Sequence, residues 1–288
     1  MLSVYKHEVR GYFAGMTGFV FGAFLLFFCG IFTMLHNLKS MFANFEYALS
    51  DMTLVFLIAI PILTMRVIAE ERRNKTDQLL YALPITMTQV VVGKFLALLT
   101  TMLLPVLIIA LYPILLSAYG NVSLVTAYNA LFGFFLLGAS LMAIGLFISS
   151  ITDSQAVAAG VCFAVMLVNY FLATLAGFLP TSAIASYLAF AALLLIAVVL
   201  FWYMTKNKFV SLIACTVTQC GMLIWYLMNE SFFEGAFQKL IGQLSLFQRF
   251  YVFINGFCDL TGVVYFLSVI FFFVYLTVQS MEKRRWSA

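Results

Sequence analysis

Long apolar stretches broken by short polar ones dominate this chain. Residues 11–35, 95–152, 154–205, 209–229 and 260–281 contain no Asp, Glu, Lys or Arg. A helix needs about 20 apolar residues to cross the hydrocarbon core of a bilayer, so the second and third runs each hold two crossings. Backbone polar groups in lipid must be bonded internally, which makes helices the default. A membrane barrel would need segments of about 10 residues with alternating polarity, and these runs do not alternate. The pattern therefore predicts eight spans, at 11–35, 47–65, 89–116, 126–149, 155–178, 183–205, 209–228 and 260–281. Tyr119-Gly120-Asn121 is a turn signal between the third and fourth. Asp153, Leu179-Pro180-Thr181 and Lys206-Asn207-Lys208 mark the following breaks.

Composition agrees with that pattern. Of 288 residues, 65% are hydrophobic and 9% charged, against about 25% charged in a soluble domain. An ordinary soluble globule is excluded, and so is a disordered chain, which needs low hydrophobicity and high charge. The expectation is one all-α, polytopic helical bundle over residues 1–288, with no soluble catalytic domain. The first apolar run is too long for a signal-peptide core of 7–15 residues and lacks a cleavage site, so it is read as a retained span. With the N-terminus in the cytoplasm, twelve of the fifteen Lys and Arg fall inside; Lys39, Lys239 and Arg249 fall outside. This follows the positive-inside rule and puts both termini in the cytoplasm. The net charge of +4 is then a topology signature, and nothing points to nucleic acid.

Most residues from Arg66 to Asp77 are charged. Thr76 is placed to cap a helix, Asp77 sits near its start, Leu79, Leu80 and Leu83 share one face, and Pro84 ends it. Thr86-Met87-Thr88-Gln89 reads as a capping box opening the third span. The segment is either an interfacial loop obeying the positive-inside rule or a docking surface for a partner protein. The mixture of acids, bases and a leucine stripe suits the second.

The stretch from Met65 to Phe95, containing Glu70-Glu71-Arg72-Arg73 and Leu79-Leu80-Tyr81-Ala82-Leu83-Pro84, resembles the signature of ABC-2 type transporter permeases. The similarity is to the gliding-motility and nitrous-oxide-reductase-maturation branch. The stretch from Gly145 to Gln155 resembles the same branch, as does the region from Leu244 through Asp259 to Trp286. The resemblance implies a permease whose cytoplasmic loop, 66–88, fits a cleft in a separate ATP-binding-cassette ATPase subunit, two of which serve the assembly and carry the ATP and magnesium. It implies a second permease copy or a homologous permease, with room for an accessory membrane subunit, in the bacterial plasma membrane. The coupling residues it implies are Glu70, Glu71, Arg72, Arg73, Asp77, Leu79, Leu80, Leu83 and Pro84. The aromatic-rich segment 229–259 corresponds to an extracytoplasmic gate, with Phe247, Phe250, Tyr251 and Asp259 as its residues; an interfacial cap of short amphipathic helices is the alternative. Lys75 departs from the family, which often has glycine there. Residues 183–228 form an extra hydrophobic pair beyond the six spans common in the family.

Other features are sparser. No G-x-x-x-x-G-K-[ST] phosphate loop occurs, so no ATP-binding site or other cofactor is expected in this chain. Five cysteines without a CxxC pair, and two distant histidines, do not make a metal site. Asp51 and Asp153 lie near span ends; Asn129, Asn169, Thr216, Thr218 and Gln219 lie inside spans, where interhelical hydrogen bonding is their ordinary role. On one continuous helix Gly11, Gly15, Gly18 and Gly22 would share a stripe of about 60°, for packing within the chain or against a second permease. Rival classes are an ion-coupled secondary transporter, a membrane-embedded enzyme, and a non-transporting scaffold or immunity component of the same fold. The cargo is not legible.

Overall fold

The computed structural model describes residues 1–76, 86–206, 208–257 and 259–287, and among them every regular element is a helix. Among the described residues eight helical segments are long and apolar enough to cross a membrane, agreeing with the predicted spans in number and order. The chain divides into two compact units, Met1–Val168 with Arg249–Ala288, and Asn169–Gln248.

The first unit is organised around one helix. Helices α1 (Leu2–Ala14) and α2 (Thr17–Thr33) are followed by a short π-helical turn, then α3 (Glu46–Thr64) and the short α4 (Ala69–Arg73). Helix α5 (Met87–Ile109) continues as α6 (Leu111–Ser117), and α7 (Leu124–Ile151) precedes α8 (Gln155–Gly177). Thr86 caps α5, its hydroxyl accepting from the Gln89 N–H, as the capping box requires. The break at Ala110 has a cause three residues on. Pro113 lacks an N–H and its ring displaces the carbonyl of Ile109. The last helix, α14 (Leu260–Ser287), packs on α7, and α3 and α5 pack on α7 as well. Helix α7 is therefore buried along most of its length. Its glycines allow the approach. A Cβ at Gly138 would meet the Met102 sulfur, and one at Gly145 would overlap the Thr64 side chain. Phe56 and Phe134 stack with centroids 4.3 Å apart between α3 and α7.

The first span differs from its expectation. Met16 takes a left-handed φ of 59°, so the chain breaks after Ala14 and the span begins at Thr17. Charge counting placed its start at 11 because the last preceding charge is Arg10. The residues before the break form a separate amphipathic helix on α5. Tyr5 Oη lies 2.9 Å from Thr100 Oγ1, and a Cβ at Gly93 would press on Val4. Consequently Gly11, Gly15, Gly18 and Gly22 do not form one stripe: Gly11 lies on α1, Gly15 at its end, and Gly18 and Gly22 on α2. Gly18 packs on Phe13 within the chain, and Gly22 faces Pro105.

The second unit holds the extra pair, α9 (Ala183–Thr205) and α10 (Lys208–Met228), then α11 (Glu230–Phe233), α12 (Ala236–Gln243) and the start of α13 (Leu246–Ile254). Lys206 ends α9 in a left-handed conformation at φ 52°. Ala183, Met222 and Phe233 make a small core, with Tyr187, Phe190 and Tyr226 packed on it. Span polar groups act here as helix linkers. Gln219 Nε2 donates to the Ala191 carbonyl at 3.1 Å. Asn169 Oδ1 accepts from the Leu246 N–H at 3.0 Å, and Ser245 Oγ donates to the Asn169 carbonyl.

Gly145→Leu forces α3 away from α7 and costs about 1–3 kcal/mol, the usual range for overpacking. The expected reading is a thermal midpoint several degrees lower for the purified chain in detergent. Gly160→Ala, where a Cβ meets nothing within 4 Å, should not lower it.

Candidate functional site

The charged end of the first unit holds α4, which carries the Glu-Glu-Arg-Arg motif. Four carbonyls and four N–H groups at the ends of a helix need outside partners, and here one buried hydroxyl serves the start. Ser149 Oγ, on α7, accepts from the N–H groups of Ile68 (3.2 Å) and Ala69 (3.1 Å) and donates to the Met65 carbonyl.

Lys94, near the start of α5, has a side chain only 1% exposed. Its ammonium donates to Glu71 Oε1 at 2.6 Å, Glu8 Oε1 at 2.7 Å and the Val67 carbonyl at 3.1 Å. An ammonium has three donors and no acceptor, so these three partners saturate it. One cation thereby joins α1, the α3–α4 turn, α4 and α5. Burying a charge is tolerated only with such complete pairing.

Arg72 makes a second anchor. Its side chain is 3% exposed and reaches Asp153 at 3.7 Å and the Thr152 carbonyl at 3.4 Å. Arg284, on α14, donates to Asp153 at 2.8 Å and to the Ile151 carbonyl at 3.0 Å; Ser280 donates to the Ser150 carbonyl. The final carbonyls of α7 are thus taken up by α4 and α14, and the two guanidiniums sit at the negative end of its dipole. The Arg284 hydrogen bond holds the Asp153 carboxyl below the usual carboxylate range; partial burial opposes this, and the charges of Arg284 and Arg72 add to it.

Helix α4 ends in a Schellman motif. The Lys75 N–H bonds the Arg72 carbonyl (3.0 Å), the Thr76 N–H bonds the Glu71 carbonyl (2.9 Å), and Lys75 is left-handed at φ 56°. This is the position at which glycine is favoured, and with lysine standing there the left-handed turn is still in place. The Thr76 hydroxyl donates back to the Glu71 carbonyl.

Of the predicted coupling residues, Glu71 and Arg72 are therefore turned into the chain's own packing. Glu70 is half exposed in an i,i+4 pair with Arg66 at 3.8 Å, and Arg73 is exposed. Asp77, Leu79, Leu80, Leu83 and Pro84 lie outside the described residues. Sequence reasoning missed Lys94 and Glu8 as members of this site. A lysine inside an otherwise charge-free helix was the available signal. The expected gate residues are scattered in role. Phe247 is buried against Tyr170 in the second unit, and Phe250 is buried near Phe134 in the first. Tyr251 is exposed. Asp259 caps α14, bonding the N–H and hydroxyl of Thr261, and the hydroxyl bond holds its carboxyl below the usual range. Asn129 donates to the Phe253 carbonyl. Among the described residues no three His, Cys, Asp or Glu are grouped to hold a metal.

Lys94→Met strands two carboxylates and should cost about 3–5 kcal/mol, seen as loss of monodisperse protein on size exclusion. Adding Glu8→Gln and Glu71→Gln should restore most of it. For Asp153 the folded pKa lies below the unfolded one, so its contribution is complete above about pH 4 and is lost as pH falls through the depressed value. The stability difference between the parent and Asp153→Asn is accordingly flat from about pH 5 to 8 and shrinks only in stronger acid.

A search of curated proteins found no match, and a search of solved structures found none. A family profile described as ABC-2 family transporter protein matches residues 31–278, a range that includes α4, Lys94 and Asp153. With most of its length matched, the chain belongs to the ABC-2 family of transporter proteins.

Proposed function

We propose that this chain is the membrane permease of an ATP-driven exporter, of the gliding-motility and nitrous-oxide-reductase-maturation branch, and that α4 is where force enters it. Family membership makes it a permease component of an ABC transporter. The observation that carries the further step is the double anchoring of α4 by Lys94 and by the Arg72–Asp153–Arg284 cluster. A segment tied to α1, α5, α7 and α14 transmits displacement to all four, whereas a loosely solvated loop would absorb it.

In this reading two separate ATPase subunits bind ATP and magnesium. Their closure moves the segment 77–84, and the leucine face of Leu79, Leu80 and Leu83 sits in a cleft of the ATPase. Glu70 and Arg73, the exposed members of the motif, contact the ATPase, while Glu71 and Arg72 hold the lever to the bundle. A second permease, identical or homologous, completes the assembly, and an accessory membrane subunit is compatible with it. The positive-inside rule supports a cytoplasmic side for this end, and in this reading the bundle lies in the plasma membrane of a bacterial cell. The chain itself is no enzyme; hydrolysis belongs to the partner.

The test is co-expression with a candidate ATP-binding-cassette ATPase from the same organism. Glu70→Lys with Arg73→Glu, and separately Leu79→Asp, should reduce ATPase co-purification at least tenfold without reducing folded permease. Undiminished co-purification would remove the coupling assignment. Asp153→Asn should leave co-purification near parental and lower thermal stability only slightly, since Asp153 is exposed.

A further inference from the structure

Two cavities adjoin at the charged end of the first unit. One, of about 380 Å³, is apolar and lies between α2 and α3, against Val20, Phe21, Phe24, Ala59, Ile62 and Leu63. The other, of about 410 Å³, is polar and bordered by His7, Glu8, Arg66, Glu70 and Glu71. Tyr12, Gly15, Thr17 and Arg66 line both, so together they form one groove with an apolar half and a charged half. Each volume is within the range of small-molecule sites, about 300–1,000 Å³.

The direction of the groove relative to the membrane follows from the helices. Thr17 to Phe24 covers about 10 Å of α2 at 1.5 Å per residue, starting where the first candidate span starts. The apolar half therefore lies just inside the hydrocarbon and the charged half at headgroup level. Val20 and Ile62 are 66% and 55% exposed on this face, which opens the apolar half sideways to the bilayer.

The charges select the occupant. Glu8 and Glu71 are committed to Lys94. Among the described residues the Arg66 guanidinium makes no hydrogen bond, only the 3.8 Å pair with Glu70. Guanidinium forks match phosphate oxygens bidentately, and Glu70 beside it accepts from an ammonium. A cation and a carboxylate side by side fit a zwitterion with a phosphate and a donor-bearing amine. A purely anionic headgroup would meet three carboxylates around the same groove.

We infer that this groove binds one phospholipid of the adjacent leaflet, with a phosphoethanolamine-type headgroup on Arg66 and Glu70 and an acyl chain between α2 and α3. The lipid is a resident component distinct from the cargo; it shares only Glu70 with the ATPase-facing surface proposed above, and its test contains no ATPase. Its test uses the full-length chain in detergent, equilibrated with mixed micelles of equimolar dioleoyl phosphatidylethanolamine, phosphatidylcholine and phosphatidylglycerol, and native mass spectrometry of the retained lipid. One phosphatidylethanolamine per chain is expected, at least tenfold over each competitor. Arg66→Gln and Ile62→Trp should each reduce retention about tenfold; Val20→Trp fills the same apolar half from α2 if Ile62→Trp does not fold. Equal retention of the three lipids means annular lipid only and overturns the inference, as do preference for phosphatidylglycerol and unchanged retention in the folded variants.

Discussion

The arrangement of the charged end depends on one buried ammonium. In a chain with so few charges, Lys94 is placed where water does not reach, and its three hydrogen-bond donors are matched by Glu71, Glu8 and Val67. An interior ion pair contributes little net stability against an apolar replacement, but it tolerates no missing partner. That asymmetry makes it a device for specifying position. It fixes α1 on α5 and fixes α4 on both, so the polar half of the groove and the exposed Glu70 and Arg73 take their places from it.

The second anchor works by a different principle. Arg72 and Arg284 meet the end of α7 through backbone carbonyls as much as through Asp153. Because Asp153 is exposed, its ion pairs alone are worth little. The carbonyls at a helix end need partners in any case, and here those partners come from two other helices. The two anchors together explain why a five-residue helix, far too short to be stable alone, is held in a defined place.

Much of this was legible in the sequence, and the reasons are physical. Lipid forbids unpaired charge and unbonded backbone, so charge-free runs of bilayer length gave the spans and their order directly. The Thr86 cap was legible because its partner, Gln89, is three residues away. Local conformation was less so: nothing in Ala14-Gly15-Met16-Thr17 marks Met16 as left-handed, and a run defined by absence of charge does not show where one helix stops and another starts. Long-range pairing was not legible at all. Glu8 and Lys94 are 86 residues apart, Arg72 and Asp153 81, and nothing in the sequence tells which charge meets which. For that reason Glu71 and Arg72 looked like surface residues of the motif, when burial assigns them to the bundle.

The two ends of α7 are held by forces of different character. At Ser150, Ile151 and Thr152 its carbonyls are tied by directional hydrogen bonds that fail over a fraction of an ångström. Toward its other end Phe134 lies between Phe56 and Phe250, in ring contacts of 4.3 and 6.2 Å that keep much of their energy as the rings slide. Bending or tilting of the bundle is therefore graded along the helix. Under load the polar end would follow α4 and α14 as a block, and relative displacement would be taken up among the aromatic rings, as in a lever clamped at one end and lubricated at the other.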